Sequence, residues 1–519
     1  MEVTNENFEA ALTQLEAILP TASFVAIDEE MTGIRVDKST DPTGGDNGQS
    51  RYQKMARVAS HFNIMQFGVC VFHKEESGSY IARPFNFYIF PEENSGVVVS
   101  MGSNTAAFHR THKFDFNKWV YGGIPFVHQA RYDAMAAHAA TTPAKEQQSD
   151  RKKVVLTRED DITFTQTALD KMKAWAESGE GKEMEIAPSC NGFLRRFLHQ
   201  EIEELYPDMV TESRDTEDKW RKTLWVLRLT EEEKQTRLEE KEKEKKREVE
   251  AKAGFLRVFW LLCQCKKPIV GHNLMYDLLF MCSHFQGPLP GTVEQWKEQV
   301  HSLMPLIWDT KMLSVSSGAY PDTMLEKLYE SCKDKAPAIT VPEGFERYTA
   351  GGGFHEAGYD AYVTGVAFLG MEASGQALET LRNTCYMMRS IFALRLDGED
   401  EVFEKGCVWH VSDFPAEFAT SDILGLFGDL KCHLRWINDT SAFAVFPDGS
   451  DDAVRSALAG KPIGEMGTVP LAKYLEMEKE REKEAKEKAE REIREAAERA
   501  AEKATAEKKE KEEGGKKAE

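Results

Sequence analysis

Phe24-Val-Ala-Ile-Asp28-Glu29-Glu30 is an unbroken apolar run that ends in three carboxylates. The apolar part reads as a buried strand. Strand side chains alternate between faces, so Asp28 and Glu30 point the same way and Glu29 the other. Two like charges held side by side are costly unless a cation neutralises them. The segment therefore predicts a cation site at the end of a strand in an α/β sheet.

Two distant segments extend the pattern. Ile269-Val-Gly-His272-Asn273-Leu-Met-Tyr-Asp277 reads as strand, turn and helix, with Asp277 in the helix's first turn. His355-Glu-Ala-Gly-Tyr-Asp360 adds an imidazole and a last carboxylate. Each segment alone has a plain structural reading: solvated charges at a strand end, a first-turn acid favoured by the helix dipole, a structural histidine. The ordered combination carries the signal. Phosphodiester hydrolysis needs an activated water, an in-line approach and a stabilised leaving oxygen, which two divalent ions roughly 3.5–4 Å apart supply together. Hard Mg²⁺ prefers carboxylate, phosphate and water oxygens. Asp28, Glu30, Asp277 and Asp360 suit a pair of such ions, with Asp28 bridging. His355 suits a general base, since imidazole titrates near neutral pH.

Asp28/Glu30, Asp277 and His355/Asp360 resemble the signature of the DEDDh family of 3′-to-5′ exonucleases. Ile27-Asp28-x-Glu30-x-x-Gly33-Ile34, Phe85-Asn-Phe-Tyr88-x-Phe90-Pro91, Phe114-Asp-Phe-Asn117, Asp309-Thr-Lys311 and His355-Glu-Ala-Gly-Tyr-Asp360 are similar to segments of its poly(A)-degrading deadenylases. The likeness runs from about residue 1 to about 474. A DEDDy enzyme would carry Tyr where Glu356 stands. The resemblance implies an RNase H-like DEDD exonuclease fold and two Mg²⁺ ions per site, with Mn²⁺ able to substitute. It also implies hydrolysis of single-stranded poly(A) RNA to 5′-AMP, a homodimer, and contacts to RNA from Met31, Ile34, Phe108, Asn273 and Lys311. Phe is usual in the family where this chain has Met31, which exchanges a rigid stacking plane for a flexible apolar contact.

At 519 residues the chain predicts three or four units. Residues 1–155 and 251–397 read as two parts of one exonuclease domain, because Asp28 must meet Asp277 and Asp360. Within the first part, Asp37–Ser50 reads as a mobile loop and Ala134–Ser149 as a surface connection. Residues 156–250 hold Arg195-Arg-Phe-Leu-His199, matching the Arg-x-x-x-His signature of a module associated with single-stranded nucleic acid, and a Glu/Lys-dense spacer helix. Arg and His at i,i+4 are otherwise plain neighbours on a helix face.

Residues 404–474 trace β-α-β-β-α, the order of an RRM, with Ala442-Phe-Ala-Val-Phe446 a degenerate echo of its aromatic strand. The resemblance makes this an RRM that also binds the mRNA 5′ cap through Trp436, since flat aromatics stack on a cationic methylated guanine. Residues 475–519, almost wholly Glu, Lys, Ala and Arg, read as a charged helical or disordered tail.

A formal charge of −21 opposes generic nucleic-acid affinity and predicts dependence on divalent ions. The acidic start lacks a signal-peptide core, and the most apolar stretch, Phe255–Cys265, is too short to cross a membrane. Nine cysteines without metal-like spacing suggest free thiols in a reducing compartment. Residence in cytoplasm and nucleus is the expectation, Lys243-x-Lys-Lys-Arg247 being either an import signal or decoration of the spacer helix. Two other functions remain open: a trimmer of other RNA 3′ ends, and a catalytically idle RNA- or cap-binding scaffold.

Overall fold

Phe24–Met31 forms the middle of an eight-stranded sheet in the computed structural model, and Phe24 to Ile27 are all buried. The structure describes residues 1–140, 153–217, 221–348, 353–404, 406–459 and 466–481, with scattered positions as far as 494. On one side Phe24–Met31 runs antiparallel to Ile64–Lys74, which runs antiparallel to Tyr80–Pro91. On the other side it is parallel to Ile269–Gly271, itself parallel to Ile307–Asp309. Short strands Glu2–Val3, Ile124–Phe126 and Ile339–Thr340 add to Tyr80–Pro91. An antiparallel meander continued by parallel crossovers is an RNase H-like α/β arrangement. A central strand covered on both faces reads as a continuous apolar run, which explains Phe24 to Ile27.

The helix Ala357–Ala373 crosses one face of the meander and is buried from Ala357 to Met371, as an all-round apolar helix must be. Glycine lets it lie directly on the strands. A Cβ at Gly68 would stand 1.9 Å from the Ala357 carbonyl oxygen, and one at Gly358 2.6 Å from Asn86 Cβ. Phe24 and Phe72 stack beneath the helix with centroids 4.5 Å apart. Phe255 packs with Phe67, Phe87 and Phe285 in a second aromatic cluster.

The stretch Asp37–Ser50, expected to be mobile, is pinned. Asp46 is buried, and its carboxylate takes Arg51 Nε at 2.8 Å, Lys54 Nζ at 2.6 Å and the Thr43 amide at 3.1 Å. Asn47 caps the helix Gly48–His61, which begins inside the stretch. The Asp, Asn and Ser residues read as loop-formers are helix caps and a buried ion-pair hub, and a buried carboxylate holds its partners in place.

Near the carboxy-terminal end, Cys407–Ser412, His433–Asn438, Ser441–Phe446 and Gly467–Pro470 form an antiparallel sheet in the spatial order second, third, first, fourth. Helices Thr420–Gly425 and Asp451–Leu458 complete β-α-β-β-α-β; the fourth strand was not read from the sequence. Ala442, Ala444 and Phe446 face the helices, whereas Phe443 and Val445 pack with Ile391, Phe392, Leu471 and Tyr474. Tyr474 lies 4.4 Å from the His410 ring and 5.1 Å from the Phe443 ring. The helix carrying Tyr474 spans 471–481, so the described start of the charged tail is helical; most of 482–519 falls outside the described residues.

Contacts divide the chain into Met1–Phe126 with Phe255–Glu519, and Val127–Gly254. The second unit begins at Val127 rather than 156 because the helix Gln129–Ala140 packs on the long helix Glu231–Ala253. Part of the expected surface connection is thus helical; its residues 141–149 lie outside the described set. The unit's sheet orders Glu183–Cys190, Lys222–Leu227 and Val210–Asp215 over a core that includes Met172, Leu198 and Val226. Among the described residues no helix is long and apolar enough to cross a membrane.

Candidate active site

The end of Phe24–Met31 carries Asp28 and Glu30 on one face, both less buried than Glu29 between them. The pairing register slips between Glu30 and Met31, a bulge that turns the strand end away from its neighbour. Asp277 lies in the first turn of Met275–Met281 and Asp360 in the first turn of Ala357–Ala373, where helix dipoles favour negative charge. Three elements far apart in sequence, one strand and two helices, therefore deliver four acids to one place.

Electrostatics records how close they are. Burial, then Asp360, Asp277, Glu30 and Glu29, push the Asp28 carboxyl well above its ordinary range. Burial, Asp360 and Asp277 do the same to Glu30. Burial raises Asp277 to about 8 and Asp360 to about 7, against partial relief from backbone amides. Acids that resist ionising together are what a cation would neutralise. Glu30, His355 and Asp360 offer ligand atoms all within 4.8 Å of one another, and Asp360 Oδ1 is buried without a hydrogen-bond partner. An orphaned carboxylate oxygen in a ring of carboxylates fits a hard divalent ion.

His355 precedes the Asp360 helix in a left-handed conformation, φ +69°, and its amide donates to Asp360 Oδ2 at 2.9 Å. Its ring meets Phe108 at 4.7 Å and His112 at 4.1 Å between centroids. Burial first, then His112 and His109, lower its proton affinity, so the imidazole stays neutral at the pH where it would accept a proton.

A family model described as CAF1 family ribonuclease matches residues 3–368. The chain belongs to the CAF1 ribonuclease family. It is 30% identical over 486 residues to a Homo sapiens protein named Poly(A)-specific ribonuclease PARN, covering 85% of this chain and 75% of that relative. A Bombyx mori protein named Pre-piRNA 3′-exonuclease trimmer is 27% identical over 388 residues, covering 71% and 70%. A solved structure of S. pombe Pop2p in a Mg²⁺- and Mn²⁺-bound form covers 75% of this chain and 98% of its own at 12% identity, TM-score 0.37.

Within this CAF1 ribonuclease chain the expected RNA contacts fall in different settings. Ile34 is 56% exposed and Phe108 40% exposed. Met31 is buried and its carbonyl oxygen is held by His109 Nε2 at 3.1 Å. Asn273 adopts φ +61° and its amide donates to Asp309 Oδ1 at 2.8 Å. Lys311 Nζ is bound to the carbonyl and hydroxyl oxygens of Thr323, both at 2.8 Å. Trp436 is half-buried on the helix side of the small sheet, edge-on to Phe414 at 5.6 Å, and its carbonyl oxygen accepts the Gly44 amide at 2.6 Å. In the Val127–Gly254 unit, Arg195 donates to the Cys190 carbonyl, and His199 contacts the hydroxyls of Thr211 at 2.6 Å and Ser213 at 3.2 Å.

Sequence reading missed His109, His112 and Asp309. A carbonyl only accepts, so His109 Nε2 carries the proton at Met31 and Nδ1 faces Glu30 Oε2 at 3.8 Å. Asp309 is fully buried and accepts the amides of Asn273, Leu274, Lys311 and Tyr386. It thereby fixes the turn that leads to Asp277. Asp309 was quoted only inside a motif, and the histidines sit on a helix, Ser103–Thr111, and at its end, that have no distinctive pattern.

Proposed function

We propose that this chain is a Mg²⁺-dependent 3′-to-5′ exoribonuclease that shortens poly(A) tails by hydrolysis and releases 5′-AMP. One observation carries the reading: four acids from three elements, each with raised proton affinity, cluster with an orphaned Asp360 oxygen beside the His355 imidazole. Membership in the CAF1 ribonucleases and the likeness to Poly(A)-specific ribonuclease PARN support the poly(A) substrate. Two Mg²⁺ ions, with Mn²⁺ as substitute, would be held by Asp28, Glu30, Asp277 and Asp360, and would supply charge neutralisation and an acidified water.

His355 takes the proton of the attacking water at its ring nitrogen, oriented by Phe108 and His112. Asp360 holds the His355 backbone and so links base to acid cluster. Phe108 and Ile34 give apolar contact to the terminal nucleotide, with Met31, Asn273 and Lys311 as further RNA-facing candidates; a preference for adenine would come from stacking and shape rather than from hydrogen-bond readout. The carboxy-terminal unit is read as an RRM and Val127–Gly254 as the Arg-x-x-x-His module. The outer face of the RRM sheet is already covered by Ile391, Phe392 and Tyr474, so cap recognition is assigned to Trp436 outside that face. We further assign the chain to a homodimer resident in cytoplasm and nucleus.

Purified protein is incubated with 5′-labelled oligo(A), oligo(U) and a structured RNA, in Mg²⁺ or EDTA. A ladder on oligo(A) alone, erased by EDTA, is expected. Equal ladders on all three would indicate a general trimmer, and no ladder on any would indicate a binding scaffold.

A further inference from the structure

Asn86 lies in the middle of Tyr80–Pro91, fully buried in the sheet, where a polar side chain needs a reason. Both ends of its amide are used on one target. Oδ1 accepts the Gly358 amide at 3.0 Å, and Nδ2 donates to Glu356 Oε1 at 3.2 Å. These residues flank the start of the helix Ala357–Ala373. Gln66, on the adjacent strand, accepts the Ala357 amide at 3.3 Å. Glu356 has two further holds, Tyr348 Oη on Oε1 and Arg347 on Oε2, each at 2.9 Å.

The first-turn amides of a helix have no partner within it and are normally met by its own cap residue or by water. Here no side-chain cap is present, and two strands of the catalytic sheet supply the acceptors instead. The helix N-terminus is thus tied to the sheet that carries Asp28 and Glu30. His355 is the residue immediately before Glu356 and sits in the left-handed region, which a β-carbon disfavours. A residue in that conformation persists when its neighbours over-determine it.

We infer that Asn86, acting through Glu356 and Gly358, is a positioning residue that sets His355 and Asp360 against Glu30. The inference rests on the proposed role of His355. It predicts a rate defect with little binding defect, because the geometry it holds is that of the reacting groups and not of the RNA track. Misplacement of such groups by about 1 Å costs about 10²-fold in rate.

The test uses the full chain on 5′-labelled oligo(A) with Mg²⁺. Asn86→Asp keeps an acceptor for Gly358 but sets a carboxylate against Glu356. Its kcat should fall about 10²-fold while KM moves less than about threefold. Adding Glu356→Gln restores a donor facing Asn86→Asp, and the double variant should recover at least about tenfold of the loss. Glu356→Ala removes the same bond from the other side and serves if Asn86→Asp does not fold; it too should lower kcat more than KM. A folded Asn86→Asp or Glu356→Ala with kcat within about threefold of the parent overturns the inference, as does a folded double variant without recovery. His355→Ala, measured alongside, separates the two ideas. Full activity there removes the base assignment itself, whereas a large loss there with normal Asn86→Asp removes only the positioning role.

Discussion

Gly68→Ala is a one-carbon change with a calculable consequence. The added Cβ would sit 1.9 Å from the Ala357 carbonyl oxygen and 2.8 Å from the Gly358 nitrogen, whereas ordinary contact begins near 3.4 Å. Both atoms are backbone, so no side chain can swing aside, and relief needs about 1.5 Å of separation between strand and helix. Moving the helix start that far stretches the Asn86–Gly358 and Gln66–Ala357 bonds, now 3.0 and 3.3 Å, beyond hydrogen-bond range. Asp360 and His355 ride on the same segment and leave Glu30 by a comparable distance. Overpacking of this kind costs about 1–3 kcal/mol in stability, and a shift of reacting groups beyond 1 Å costs about 10²-fold in rate. Thermal unfolding and single-turnover cleavage of labelled oligo(A) read the two effects separately. A Gly68→Ala protein with parental melting temperature and kcat would refute the claim that the helix is seated through this glycine.

Three other outcomes are expected. In EDTA, the folded chain holds protons on Asp277 and Asp360 up to about pH 8 and 7, above their ordinary 3.8, so it binds more protons than the unfolded chain in that window. Stability therefore falls as pH rises. The Met1 amine, which burial lowers to about 5, opposes this up to about pH 8 but is one group against the raised Asp28, Glu30, Asp277 and Asp360. Above about pH 6.5 the buried neutral His272 and His284, which act in the same opposing sense, have ceased to contribute. Melting temperature in EDTA should drop from about pH 6.5 to 8 and Mg²⁺ should raise it most at the upper end; a rising curve without metal contradicts the acid cluster. Asp28→Asn should abolish turnover yet raise the metal-free melting temperature by a few degrees above about pH 8, since it removes a buried acid whose ionisation its neighbours oppose; retained EDTA-sensitive cleavage defeats the assignment. Trp436→Ala should weaken binding of a methylated cap analogue by roughly tenfold or more in a fluorescence titration while cleavage of uncapped oligo(A) is unchanged. Unaltered affinity would move the cap contact elsewhere.

Much of the site was legible because its residues obey short-range rules. Asp28 and Glu30 share a face through strand alternation, and Asp277 and Asp360 occupy first turns; both are properties of a few consecutive residues. Glu29, on the opposite face, is buried with neither carboxylate oxygen hydrogen-bonded. The misreadings had a different origin. Asp37–Ser50 has the composition of a mobile loop, yet its polar groups are satisfied by Arg51 and Lys54 further along the chain and Ser390 far from it. Arg195 and His199 are spaced as neighbours on one helix face, and that spacing does not reveal that their hydrogen bonds run to Cys190, Thr211 and Ser213.

What the linear chain determined by itself is a pattern: an apolar strand, i,i+2 acids, two helix-start acids and one imidazole, side chains whose chemistry suits hard-cation ligands and a base. Only the tertiary structure decided that His355 lies between Phe108 and His112, that His109 turns its protonated nitrogen to Met31, and that Asn86 reaches the helix of Asp360. Those contacts depend on which strand lies beside which and how closely backbones approach at Gly68 and Gly358. Such approach distances are set by packing among residues hundreds of positions apart, and local periodicity carries no record of them.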